Sequence, residues 1–115
     1  MDRPPLTVVQ GTLDLLVLKT LAAGGELHGF AILDFVRTAT DEQLVIEEGA
    51  LYPALHRMER RGWLASEWAV SEKGRKAKYY RLTGAGRAAL EREETRWVEY
   101  VDAVARIAPR PAGGA

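Results

Sequence analysis

Between residues 63 and 83 the hydrophobic period of this 115-residue chain changes from that of a helix to that of a strand, then changes back. In "WLASEWAV" (63–70), Leu64, Trp68 and Val70 alternate with Ala65, Glu67 and Ala69. In "AKYYRLT" (77–83), Tyr80 and Leu82 oppose Tyr79 and Arg81. The intervening "SEKGRK" carries a glycine and four charges, as a turn does. The pattern predicts one β-hairpin with a basic tip, and Tyr79 and Tyr80 are assigned to hairpin packing. A single hairpin cannot close a sheet sandwich, so the core has to come from helices.

Three helical segments precede it. "TVVQ" has capping-box form, with Thr7 as N-cap and Gln10 three positions on, which predicts a first helix from there to about Ala23, stopped by Gly24-Gly25. Leu13, Leu16, Val17 and Leu21 make one apolar face and Leu15 and Leu18 a second, so burial on most sides is expected. "ELHGFAILDFVRTAT" is the second helix, with His28 shaping its entry, and "LVIEEG" is a connector. Leu51, Leu55 and Met58 fall at i, i+4 and i+7, a third helix over 51–61 ended by Gly62. A fourth helix is predicted from Gly84 to about Ile107, before Pro109. Its stripe is Leu90, Trp97, Val101, Val104 and Ala108. At ~1.5 Å per residue it is ~35 Å long, more than a small domain covers, which calls for a partner helix.

One core is all that 115 residues provide. With 47% hydrophobic and 28% charged residues the composition is globular, and without cysteine the chain has neither disulfides nor thiolate metal ligands. No apolar run approaches a membrane span and "MDRPPLTVVQ" lacks signal-peptide form, so a cytoplasmic, nucleoid-associated location is expected. His28 and His56 lack ligand spacing, no catalytic set is present, and neither a metal, a cofactor nor an enzymatic activity is expected.

Net charge is zero but unevenly spread. Residues 1–55 hold three Lys/Arg against eight Asp/Glu, residues 56–87 nine against three, and residues 88–115 four against five. The basic middle contains the third helix and the hairpin. Helix, helix, helix, basic hairpin, helix is the order of a winged helix-turn-helix, whose third helix enters the DNA major groove while the wing meets the backbone or minor groove. Opposite Leu51 and Leu55 on the third helix lie Gly49, Pro53 and Arg60, flanked by His56 and Arg57, with Tyr52 on one shoulder. The DNA-facing residues expected there are Gly49, Ala50, Tyr52, Pro53, His56 and Arg57. In the wing they are Lys73, Arg75, Lys76 and Lys78. Pro53 lacks the N–H that would bond the Gly49 carbonyl one turn earlier, so that carbonyl is left to water or DNA.

"QGTLDLLVLKTL", "HGFAIL", "GALYPALHRMERRGWL" and "KYYRLTGAGRAAL" resemble the PadR family of bacterial transcriptional regulators over about residues 9–105. Ala50 stands where the family often has threonine or serine. The resemblance implies a homodimer on an inverted repeat, usually a repressor released by a small molecule. It also implies that the last helix crosses to the other subunit, and that a flat aromatic effector is held at Trp97. The expected dimer contacts are Leu13, Leu16, Leu90, Trp97, Val101 and Val104.

The fold expected is therefore mainly α with a small β-hairpin, a winged helix-turn-helix followed by a C-terminal dimerisation helix. The chain divides into a flexible arm (1–6), the DNA-binding domain (7–83), the dimerisation helix (84–108) and a disordered tail (109–115). The function expected is sequence-specific DNA-binding regulation. Two alternatives stay open: a winged-helix protein-interaction module, and a small-molecule sensor without strong DNA binding.

Overall fold

The computed structural model describes residues 6–7 and 11–107. In chain order the elements are β1 (Leu6–Thr7), α1 (Leu13–Gly24), β2 (Leu27–His28), α2 (Gly29–Ala39), β3 (Leu44–Val45), α3 (Glu48–Arg60), β4 (Leu64–Val70), β5 (Lys76–Leu82) and α4 (Gly84–Ile107). The fold is mainly helical, with a three-stranded antiparallel sheet in the order β2-β5-β4 and a short parallel pair, β1-β3. Residues 1–5 and 108–115, which include nearly all of the expected arm and the whole expected tail, lie outside the described residues.

The helix expected to start from Thr7 begins instead at Leu13, with Thr12 in the capping position. Leu6 and Thr7 are extended, paired in parallel with Leu44 and Val45. Pairing satisfies backbone groups that a cap would otherwise have had to serve. Gly11, at φ 99°, then turns the chain through a region that other residues rarely enter.

The hairpin spans Leu64–Val70 and Lys76–Leu82, within a residue of the alternation. Its third strand, β2, is two residues long, with Leu27 opposite Tyr80 and His28 opposite Tyr79. The His28 ring meets Tyr79 edge-on at 5.2 Å, and its Nδ1 accepts the Ala31 N–H at 3.1 Å. His28 is thus both the last residue of a strand and the N-cap of α2.

The core is built around α1, which buries Leu15, Val17, Leu18, Thr20 and Leu21. Ile32 and Val36 of α2, Leu51, Ala54, Leu55 and Met58 of α3, and Leu64, Tyr80 and Leu82 of the hairpin complete it. Burying each large aliphatic side chain stabilises the fold by roughly 1.5–3 kcal/mol. Burial pushes the Tyr80 phenol above its ordinary pKa, and the nearby Glu59 charge adds to that.

The start of α4 is held by Thr83. Its Oγ1 accepts the Gly86 N–H at 3.0 Å, its hydroxyl donates to the Gly62 carbonyl at 2.6 Å, and its own N–H donates to the Trp63 carbonyl at 3.0 Å. Gly86 sits so close to Trp63 that a Cβ there would run into the Trp63 carbonyl. Beyond this anchor only Gly86 and Ala89 of α4 are buried.

Candidate nucleic-acid interface

α3 starts three residues before the first apolar position of its stripe, so Gly49 lies inside its first turn. The Ala50 and Leu51 N–H groups donate to the Glu47 carbonyl at 3.0 and 3.1 Å, closing that turn. Leu51, Ala54, Leu55 and Met58 face inward. Gly49, Ala50, Tyr52, Pro53 and His56 are exposed, and together they form the opposite face of the helix. A Cβ on Gly49 would meet nothing within 4 Å, so the glycine leaves open space over its backbone on the outer side. Pro53 lies inside the helix, and the Gly49 carbonyl receives no N–H from it.

Tyr52 has a second role. Its phenol lies over Gly29 at the start of α2, where an added Cβ would overlap the ring. The aromatic shoulder of α3 is therefore seated on the neighbouring helix, and Gly29 is what makes room for it. Sequence reading assigned nothing to Gly29; the pairing joins residues that no local pattern connects.

The wing is basic but not uniformly so. Its turn is closed by the Gly74 N–H donating to the Ser71 carbonyl at 2.8 Å and the Ser71 N–H to the Arg75 carbonyl at 2.7 Å. Gly74 takes φ 76°, a conformation that suits glycine. Lys73, Arg75 and Lys76 are exposed. Among the described residues none of the three enters an ion pair. Lys78, nearer the body, is half-buried. Its Nζ is 3.4 Å from Glu59 of α3 and 5.7 Å from the Tyr80 ring centre.

Two of the expected DNA-facing cations are thus already partnered. Arg57 Nη2 pairs with Asp14 Oδ1 at the start of α1, and Lys78 pairs with Glu59. Ser66 Oγ donates to Glu59 at 2.6 Å. The Ser66 hydroxyl, and after it the Lys78 ammonium, hold the Glu59 carboxyl below the usual carboxylate range against the opposing effect of burial. The Arg61 guanidinium lies 5.2 Å over the Trp63 ring, while Arg60 is exposed. Glu47 and Glu48, both exposed, stand at the positive end of the α3 dipole. The free positive charge sits on the wing rather than at the helix tip. The tip can contribute close backbone approach and side-chain contacts; the wing can contribute attraction to phosphate.

The expected dimer residues divide into two groups. Leu13 and Leu90 are partly buried against the chain's own core, and Leu16 is half-buried. Trp97, Val101 and Val104 are exposed, as are Val98, Tyr100 and Ile107. Glu94, which interrupts the stripe, is bonded to Lys19 of α1. Trp97 stacks on Tyr100 with ring centres 6.2 Å apart.

Residues 17–92 match the Transcriptional regulator PadR-like family. A transcriptional regulator of Mycobacterium tuberculosis is 42% identical over 69 residues, 60% of this chain and 61% of that protein. Among solved structures, a transcriptional regulator from Clostridium thermocellum superposes with a TM-score of 0.78 at 28% identity, covering 86% of this chain and 95% of that one. A PadR family transcriptional regulator from Eggerthella lenta gives 0.72 at 33% identity, covering 89% and 86%.

Proposed function

From a chain that belongs to the PadR-like family of transcriptional regulators, which are not enzymes, we propose a homodimer that binds an inverted-repeat DNA operator and represses transcription by occupying a promoter. The observation that carries this reading is the exposed face of α3, made of Gly49, Ala50, Tyr52, Pro53 and His56, beside the unpaired cations Lys73, Arg75 and Lys76 of the wing. The α3 tips of two subunits would enter successive major grooves, ~34 Å apart on one side of the duplex. The wings would take the flanking backbone and minor groove. Arg57 and Lys78 reach phosphate only if they leave or share Asp14 and Glu59.

The second subunit is supported by the far half of α4, where Trp97, Val101 and Val104 form an apolar stripe that the chain itself leaves uncovered. The stacked Trp97–Tyr100 pair supports an aromatic effector held near the dimer centre, which would release the protein from DNA by altering the spacing of the two α3 tips.

Gel retardation with the DNA upstream of the protein's own coding sequence tests the central claim. Retardation with a two-fold symmetric footprint is expected, weakening steeply as salt rises. Failure to retard any duplex at low salt would leave the protein-interaction reading in its place.

A further inference from the structure

We propose that Trp68 and Val70 of β4 form an apolar strip that packs into the minor groove of the bound duplex, between phosphates neutralised by Lys76 and Lys78. This rests on the DNA-binding reading above and adds to it a contact that is not ionic.

Side chains alternate along a strand, so Leu64, Ser66, Trp68 and Val70 share one face of β4. The register sets them against Leu82, Tyr80, Lys78 and Lys76 of β5. This face changes character along its length. At the inner end Leu64, Leu82 and Tyr80 are buried in the core. In the middle Ser66 and Lys78 both reach Glu59, so the face is turned toward α3. Past Glu59 nothing in the described chain covers it, and Trp68 is 63% exposed and Val70 69% exposed. The outer strip therefore continues the surface that α3 presents.

The neighbours decide the occupant. Each exposed apolar side chain stands directly opposite a lysine, so the partner has to offer apolar surface bordered by negative charge. The minor groove does: deoxyribose lines its walls, phosphates border its edges, and apolar wedges enter it in many DNA complexes. A second copy of the same face would set Lys76 and Lys78 against their own counterparts, and like charges brought together this way repel.

The test compares Trp68→Thr, Val70→Thr and Lys76→Ala with the unmodified chain, by fluorescence anisotropy on the upstream duplex across a salt series. Threonine keeps strand propensity while removing the apolar contact. Trp68→Thr is expected to weaken binding about 10-fold at every salt concentration, leaving the slope of log affinity against log salt unchanged. Val70→Thr should cost about 3-fold in the same manner. Lys76→Ala should instead make the slope shallower by about 0.9.

Because both apolar side chains are mostly exposed, thermal melting should hold for each variant. If Trp68→Thr fails to fold, Val70→Thr carries the test alone. Wild-type affinity in both threonine variants overturns the proposal while leaving DNA binding standing. So does a change in the mass of the DNA-free protein, which would assign the strip to contact between copies. Absence of duplex binding by the unmodified chain removes both readings together.

Discussion

The first turn of α3 and the last three turns of α4 are both exposed, yet they are opposites in chemistry. The α3 turn presents glycine, alanine, proline, tyrosine and histidine, small or polar-edged groups over an open backbone. The α4 turns present Trp97, Val98, Tyr100, Val101, Val104 and Ile107. Leaving one large apolar side chain in water forgoes roughly 1.5–3 kcal/mol, so a stripe of them is a cost the folded chain meets only with a partner of the same character. The α3 turn carries no such cost and suits a partner that is wet, anionic and reached by close approach. Exposure alone does not name a partner; the solvation of what is exposed does.

The sharpest break of that contrast is Val101→Asp. A charge in the α4 stripe should convert the dimer to a monomer by light scattering and lower operator affinity by more than about 100-fold, since the second half-site contact is lost with the partner. The melting temperature of the monomer should stay within a few degrees of the core's own value, because the side chain is exposed in the single chain. Survival of the dimer would show that the stripe is not the interface.

Gly49→Leu is the matching change at the other region. The position has open space and an ordinary helical backbone, so stability should rise by up to ~1 kcal/mol from helix propensity. DNA affinity should nonetheless fall at least 10-fold, about 1.4 kcal/mol, as the leucine blocks close approach. Equal losses in melting and binding would return α3 to an ordinary surface helix.

Gly29→Ala acts on the same turn from behind. Its methyl group would displace the Tyr52 ring, with a several-fold loss of DNA affinity and a destabilisation of about 1 kcal/mol in urea melts. A restoring effect of Tyr52→Phe or Tyr52→Leu in the Gly29→Ala background would locate the damage in that contact.

Asp14→Asn should act in the other direction. It releases Arg57 and should steepen the salt dependence of DNA binding by about 0.9 in log–log slope, one more phosphate contact. The pair is part-exposed, so folding stability should change by less than ~1 kcal/mol. An unchanged slope would mean that Arg57 never reaches the duplex.

The smallest effect concerns pH. The folded pKa of Glu59 is lowered, first by Ser66 and then by Lys78, so its contribution to stability is present above the ordinary carboxylate pKa and is lost as pH falls through the lowered value. Glu59→Gln should flatten the acid side of a stability–pH curve slightly. It should also free Lys78 and raise DNA affinity at neutral pH. An identical acid limb in both proteins would show that the contact stores no stability.

Much of the fold was legible in the chain. Helix periods gave α2 and α4 and the buried face of α3, and alternation gave the hairpin. Three things were not. β1, β2 and β3 are two residues each, too short to carry any period. The start of α1 was misread because a capping-box spelling at Thr7 competes with strand pairing to Leu44 and Val45, and pairing wins. The start of α3 was set too late because Gly49 and Pro53 look like helix breakers. Near an N-terminus the amides have no intrahelical acceptors to lose, and burial of Leu51 and Leu55 just beyond outweighs a glycine's cost of about 1 kcal/mol.

The candidate site divides in the same way. The sequence by itself determined which side chains alternate, which lie one helical turn apart, and that positive charge gathers between residues 56 and 87. These are properties of single elements and of their order. Only the tertiary structure decided that Arg57 is bonded to Asp14, 43 residues away, that Lys78 is drawn onto Glu59, and that Tyr52 rests on Gly29. It also decided that Leu90 is partly covered by its own core while Trp97, two turns further along the same stripe, is not. The reason is physical: a period specifies the face of one helix, whereas pairing and burial depend on what another element, distant in sequence, brings to that face.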